Sequence, residues 1–175
     1  MNKVILLASI VIFSCNTSTK ESQQNPTEDI ETTGFFPVTN YIEGQVAEIK
    51  TMAINPLKVT TTGKKIDSSW LKIENIDTLF KEFLQPLIDT INMRPYFEES
   101  TFGDQTLDAY TFTYTANANL PDSISLKRWD VHVDPSTNKV KRIFMIKKLT
   151  ADKELQLTWQ SDKWCKITCI AKDKT

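Results

Sequence analysis

The chain is expected to be an α+β protein with two N-terminal helices packed on one face of an antiparallel sheet of four to six strands. Three observations predict this class. Apolar residues recur at three- and four-residue steps between positions 38 and 91, apolar and polar residues alternate from about position 96 onward, and short turn-forming clusters separate the alternating runs. Helices at the front and strands joined by short connections at the back give a layered fold in which successive strands pair. The 175 residues, 40% hydrophobic and 25% charged, are enough for one sizeable core and show no repeat of fixed period.

The first 14 residues stand outside that fold. Met1-Asn2-Lys3 supplies a positive charge, Val4 to Phe13 is apolar, and Ser14-Cys15 ends the run with a small residue before a cysteine. A bilayer span needs about 20 apolar residues, so this shorter run reads as an export signal. From Asn16 to Thr33 the composition turns to Ser, Thr, Gln, Asn and Glu, with Ile30 the only large apolar side chain. Such a stretch buries too little to offset its ordering entropy and is expected to be a tether. The chain therefore divides into a leader (1–14), Cys15 with a polar tether (15–34) and a single α+β domain (35–175).

Within the domain, Val38, Tyr41, Ile42, Val46 and Ile49 share helical spacing, Pro37 suits a first turn, and Asn55-Pro56 ends the helix. Leu57 to Thr62 is rich in β-branched residues and stops at Gly63-Lys64-Lys65, a strand and a turn. Ile66 to Ile73 fits either a return strand or an approach to the second helix. That helix carries Ile76, Leu79, Phe80, Phe83, Leu84, Leu87, Ile88 and Ile91 on one stripe, with Asn75 as cap and Pro86 to kink or restart it. A stripe this apolar needs a sheet to cover.

Strands follow at 96–101, 107–116, 125–134, 140–149, 155–160 and 164–170. Tyr110, Phe112 and Tyr114 fall on one face of the second run, and Trp129, Val131 and Val133 on one face of the third. Asn117 to Asp122, Asp134 to Lys139 and Ser161 to Lys163 are the intervening breaks.

Charge narrows the function classes. With 21 basic and 22 acidic residues the chain is close to neutral, which argues against a nucleic-acid partner. The distribution is uneven, since residues 16–119 hold 8 basic and 15 acidic side chains and residues 120–175 hold 12 and 7. Lys127, Arg128, Lys139, Lys141, Arg142, Lys147 and Lys148 dominate the basic end. They form either a patch for anionic head groups or an acidic partner, or, more simply, a solvated strand face whose lysines discourage edge pairing.

Few chemistries have their residues. Asp130, His132 and Asp134 are expected to project from one side of a strand, as a metal or acid/base cluster or as the polar face of that strand. No Gly-x-Ser-x-Gly turn accompanies this one histidine, and four glycines leave little room for a phosphate-cradling loop. Cys165 and Cys169, four residues apart on a strand, would have Cα atoms about 13 Å apart, whereas a bridge needs less than about 7 Å. No disulfide is expected between them, and with a single distant histidine they fall short of a zinc site. No metal or cofactor is called for.

Several segments resemble known patterns. Ile12-Phe13-Ser14-Cys15 resembles a bacterial lipobox, which implies cleavage after Ser14 and a diacylglycerol on Cys15. Trp129-Asp130-Val131-His132-Val133-Asp134-Pro135-Ser136-Thr137-Asn138-Lys139-Val140 resembles the strand, Asp-containing turn and strand of PepSY-like domains, small helix-on-sheet modules of bacterial envelopes that are often inhibitory or partner-binding. The whole chain, with its lipobox, polar tether and low glycine content, is similar to uncharacterised lipoproteins of Bacteroidota. Neither resemblance brings catalytic residues with it. Asp122-Ser123-Ile124, Asp77-Thr78-Leu79 and Asp89-Thr90-Ile91 resemble the O-glycosylation sequon of exported Bacteroidota proteins, and only Ser123, in a loop after Pro121, is expected to be accessible.

Two functions are therefore expected to compete. One is a non-enzymatic envelope lipoprotein, lipid-anchored at the outer membrane, that binds a protein, a glycan or a small ligand. The other is an envelope hydrolase or metal-dependent enzyme using His132 with Asp130 and Asp134.

Overall fold

The computed structural model describes residues 35–52 and 54–171. The leader, the polar tether and Cys15 lie outside the described residues.

Helix α1 (Val38–Thr51) buries Val38, Ile42 and Val46, one residue per turn along a single stripe. Pro37 sits at its cap, where a missing backbone N–H is harmless. The ambiguous segment that follows is a return strand. β1 (Leu57–Thr62) and β2 (Lys65–Trp70) form an antiparallel two-stranded sheet of their own, turning at Gly63 with φ +59°.

A 3-10 turn over Ile73–Asn75 leads into α2 (Ile76–Leu84). Asn75 makes no side-chain capping bond, contrary to expectation. Its backbone, at φ −96° and ψ 1°, belongs to the 3-10 turn instead of the extended conformation that aims a cap side chain at the helix. Pro86, expected to kink or restart the helix, separates two helices: α2 stops at Leu84 and the Gln85-Pro86 peptide is cis. The chain resumes helicity in α3 (Thr90–Met93), where the Asp89 carboxylate accepts hydrogen bonds from the backbone N–H groups of Ile91 and Asn92. The stripe is broken accordingly, with Ile88 buried and Leu87 and Ile91 exposed.

After a second 3-10 turn (Arg94–Tyr96) come β3 (Phe97–Asp104), β4 (Ala109–Ala116), β5 (Leu126–Val133), β6 (Val140–Lys148), β7 (Lys153–Gln160) and β8 (Trp164–Ala171). They form one six-stranded antiparallel sheet in sequence order, so the molecule is α+β with a six-stranded and a two-stranded sheet. Asn138 and Asp162, at φ +55° and +59°, supply the left-handed positions of two connecting turns.

Register defines two faces. Tyr114, Trp129, Met145, Leu157 and Ile167 lie opposite one another across β4 to β8, and Thr113, Asp130, Phe144, Thr158 and Lys166 form a row on the other side. The core lies on the first face. Tyr114 stacks on Trp129 with ring centroids 4.6 Å apart, and Phe97 packs 4.5 Å from the same indole. Phe80 and Phe83 of α2 each place their rings 5.3 Å from Trp159, and Val38, Ile42 and Val46 of α1 belong to the same buried cluster. Of the predicted aromatic trio on β4, Tyr114 is buried, Phe112 half-buried and Tyr110 exposed.

One buried charge sits on this face among the described residues. Lys147, opposite Leu155, is buried, and its amine donates to the backbone carbonyls of Glu82 and Gln85 at the end of α2, with the Glu82 carboxylate 3.5 Å away. The last carbonyls of a helix lack intrahelical partners, so a lysine there satisfies them and complements the helix dipole. Burial pushes its amine below the ordinary range, against the opposing pull of Glu82. Lys147 therefore does not belong to a solvated strand face.

Candidate functional site

The other face of the sheet buries polar groups. Thr111, Thr113, Asp130 and His132 are only 1%, 6%, 5% and 5% exposed. Thr111, Asp130 and His132 border a hollow of about 360 Å³ lined also by Phe102 and Asp104 of β3, Leu107 of the β3–β4 turn, Arg128 of β5, Arg142 and Phe144 of β6, and Thr158 of β7. Every lining residue comes from the sheet or that turn. The alternation of β5 brings Arg128, Asp130 and His132 to one side, and pairing of His132 with Arg142 and of Asp130 with Phe144 continues the row onto β6. Register shifts in the β5–β6 pair, between Leu126 and Arg128 and between His132 and Val133, mark irregularities of the kind that sharpen local twist.

Hydrogen bonding fixes the histidine. Arg142 Nη2 lies 3.4 Å from His132 Nε2, and a guanidinium has only donors, so Nε2 accepts. Nδ1 then carries the proton and donates to Thr111 Oγ1 at 2.8 Å. The imidazole is held neutral, its pKa lowered from 6.5 by burial and then by the charge of Arg142. Arg128 Nε donates to Asp130 Oδ1 at 2.9 Å, a charge-assisted pair with the carboxylate buried. Lys141 closes one rim, its amine donating to the carbonyl of Asp108 at 2.8 Å and to that of Leu107 at 3.3 Å.

Arg142 is different. Among the described residues no carboxylate lies within ion-pair distance of it, and its buried Nε has no protein partner. Among the described residues its side-chain hydrogen bond is to a neutral ring. Buried polar groups are generally paired, so an unpaired guanidinium edge in a hollow is a donor available to an anion. Thr113 Oγ1, on the same face, is also buried without a protein partner.

The expected Asp130, His132 and Asp134 cluster is divided. Asp130 and His132 come together, but β5 ends at Val133 and Asp134 opens the turn. There its Oδ1 accepts from Ser136 N at 2.8 Å, Ser136 Oγ at 2.6 Å and Thr137 N at 3.1 Å, and these bonds hold its carboxyl at about 2. An aspartate that organises a turn cannot also face the hollow. Among the described residues no three His, Cys, Asp or Glu side chains are arranged to hold a metal ion.

The basic end is distributed in the same way. Lys127, Lys139 and Lys148 are exposed, Lys147 is in the core, and Arg128 and Arg142 line the hollow. The signal for the two arginines was present in the alternation of Arg128, Asp130 and His132 and of Arg142 and Phe144, but it acquires meaning only once the register joins the two strands. Cys165 and Cys169 are free thiols on one strand, β8, with Cys165 half-buried and pushed up to about 11 by burial, which makes it a poor nucleophile. Ser123 is exposed in the β4–β5 connection.

Comparison with family models, with curated proteins and with solved structures finds no match for this chain.

Proposed function

We propose that this chain is a lipid-anchored envelope lipoprotein, held at the outer membrane through Cys15, that acts as a non-enzymatic binding module. In this reading α1 and α2 pack on the Trp129 face of the sheet and leave the His132 face for a ligand. The ligand is a small organic anion, a carboxylate with a planar apolar part. Arg142 carries the proposal: it is a guanidinium in a sheet hollow, without a carboxylate partner, oriented by a neutral histidine. A guanidinium suits recognition of a carboxylate, and Phe102 and Phe144 line the same hollow with aromatic surface. The Arg128–Asp130 pair, with its carboxylate buried and its guanidinium exposed, lies beside it.

The rival, an envelope hydrolase or metal-dependent enzyme using His132 with Asp130 and Asp134, has less behind it because Asp134 is occupied by its turn.

The test is native mass spectrometry on protein purified from envelopes, together with titration of the purified chain with benzoate and phenylacetate by NMR. The expected result is a co-purifying organic acid, or saturable shifts at Phe102, His132 and Phe144, abolished by Arg142→Gln in a folded variant. A wild-type chain that carries no acid and shows no shift with either probe would remove the reading. Hydrolysis of a model ester by the purified chain, abolished by His132→Gln, would instead favour the rival.

A further inference from the structure

The β1–β2 hairpin is the one described element whose residues are all exposed. Its register places Leu57 opposite Trp70, Val59 opposite Ser68 and Thr61 opposite Ile66, so four large apolar side chains share one face. They are 52% (Leu57), 57% (Val59), 71% (Ile66) and 71% (Trp70) exposed, and none belongs to the core. The opposite face carries Lys58, Thr60, Thr62, Lys65, Asp67 and Ser69. An isolated two-stranded hairpin is marginal in water, and an uncovered apolar face of this kind marks a surface that something covers.

Charge identifies the cover. Residues 16–119 are acidic as a whole, with 8 basic and 15 acidic side chains, yet Lys58, Lys64, Lys65 and Lys72 fall within one 15-residue stretch in which Asp67 is the only acid. A basic, Trp-containing apolar surface set in an acidic half of the chain is complementary to anionic lipid, not to a second copy of itself. Lysine stems on the far side of a ribbon two strands wide can reach around to head groups while the apolar face rests in the interface. We infer that the hairpin is a second, reversible membrane contact, laying Leu57, Val59, Ile66 and Trp70 on an anionic bilayer.

This inference rests in part on the anchor proposed at Cys15, which keeps the domain close to a bilayer. Nineteen residues, 16 to 34, separate Cys15 from the domain and span about 60 Å at full extension, so the hairpin meets the surface at high effective concentration.

The test is vesicle flotation with the processed chain, residues 15–175, carrying Cys15→Ser so that no lipid is attached. The described core runs from Phe35 to Trp159, so removing the leader leaves it whole. Vesicles of phosphatidylglycerol with phosphatidylcholine are expected to retain the chain, and phosphatidylcholine alone to retain it at least tenfold less. Ile66→Ser with Trp70→Ser lowers the partition at least tenfold. Lys58→Gln, Lys64→Gln and Lys65→Gln together lower it about a hundredfold on the anionic vesicles, at roughly fivefold per lysine. Unchanged melting of each variant shows that the domain is intact. No binding to anionic vesicles, binding indifferent to these variants, or a concentration-dependent dimer that Trp70→Ser dissociates would overturn the inference. Metabolic lipid labelling of Cys15 in cells is read separately, so the anchor can fail while the hairpin holds, and the reverse.

Discussion

The two faces of the six-stranded sheet are built from the same strands and differ in what they bury. One face encloses Trp129, Val131, Ile143, Met145 and Leu157 together with aromatic side chains of α2, and its contribution is apolar area removed from water. The other encloses Thr111, Thr113, Asp130 and His132, which gain little from leaving water and persist because their hydrogen bonds are largely met within the row. The contrast teaches that burial alone does not identify a core. Buried donors without a protein partner occur on both faces, Thr113 Oγ1 and Arg142 Nε on one and the Trp129 and Trp159 indole nitrogens on the other, and of these only Arg142 borders the hollow.

The comparison is broken most severely at its apolar centre. Trp129→Ala removes an indole that touches Phe35, Phe97 and Tyr114, and urea unfolding is expected to show a loss of about 3–5 kcal/mol. A loss below that of changes on the polar face would mean the core has been misplaced. Lys147→Ala comes next, because it leaves the Glu82 and Gln85 carbonyls buried without their donor; a loss of about 1–3 kcal/mol is expected in the same measurement.

Changes on the polar face move binding more than stability. Arg142→Gln is expected to shift the unfolding free energy by less than about 1 kcal/mol while abolishing the aromatic-carboxylate response. An equal loss of both would make Arg142 a structural residue. His132 sharpens the contrast through pH. Its folded pKa lies below 6.5, so on acidification the unfolded chain takes up the proton first. Stability present above pH 6.5 is then lost as pH falls through the folded value, and His132→Gln flattens that slope in melting temperature. The smallest effect is expected at exposed Ser123, where Ser123→Ala leaves melting unchanged and removes any glycan mass at that loop.

Much of the sheet was legible because period-two alternation leaves a mark on every strand: Trp129, Val131 and Val133 announced a buried face without any knowledge of their neighbours. The helical stripe to Ile91 was less faithful. Pro86 ended α2 early, and the later apolar residues were divided between Ile88 inside and Leu87 and Ile91 outside, a choice made by packing and not by spacing. The site was legible only in fragments. Asp130 and His132 were visible as neighbours on one side of a strand, but Asp134 was drawn into a turn by Ser136 and Thr137, local bonds that compete with continuing the strand.

The amino-acid sequence by itself determined the α+β class, the order of the strands in the large sheet and the turn at Gly63, because each depends on spacing within a few residues. Only the tertiary structure decided which charges are buried and for what. Lys127 and Lys147 read alike along the chain, yet one is in solvent and the other holds the end of a helix. Arg142 became a candidate when strand pairing set it beside His132 with no carboxylate among the described residues within ion-pair distance. Long-range register brings together side chains that the sequence keeps apart, and the chemistry of a guanidinium depends on which partners it then finds.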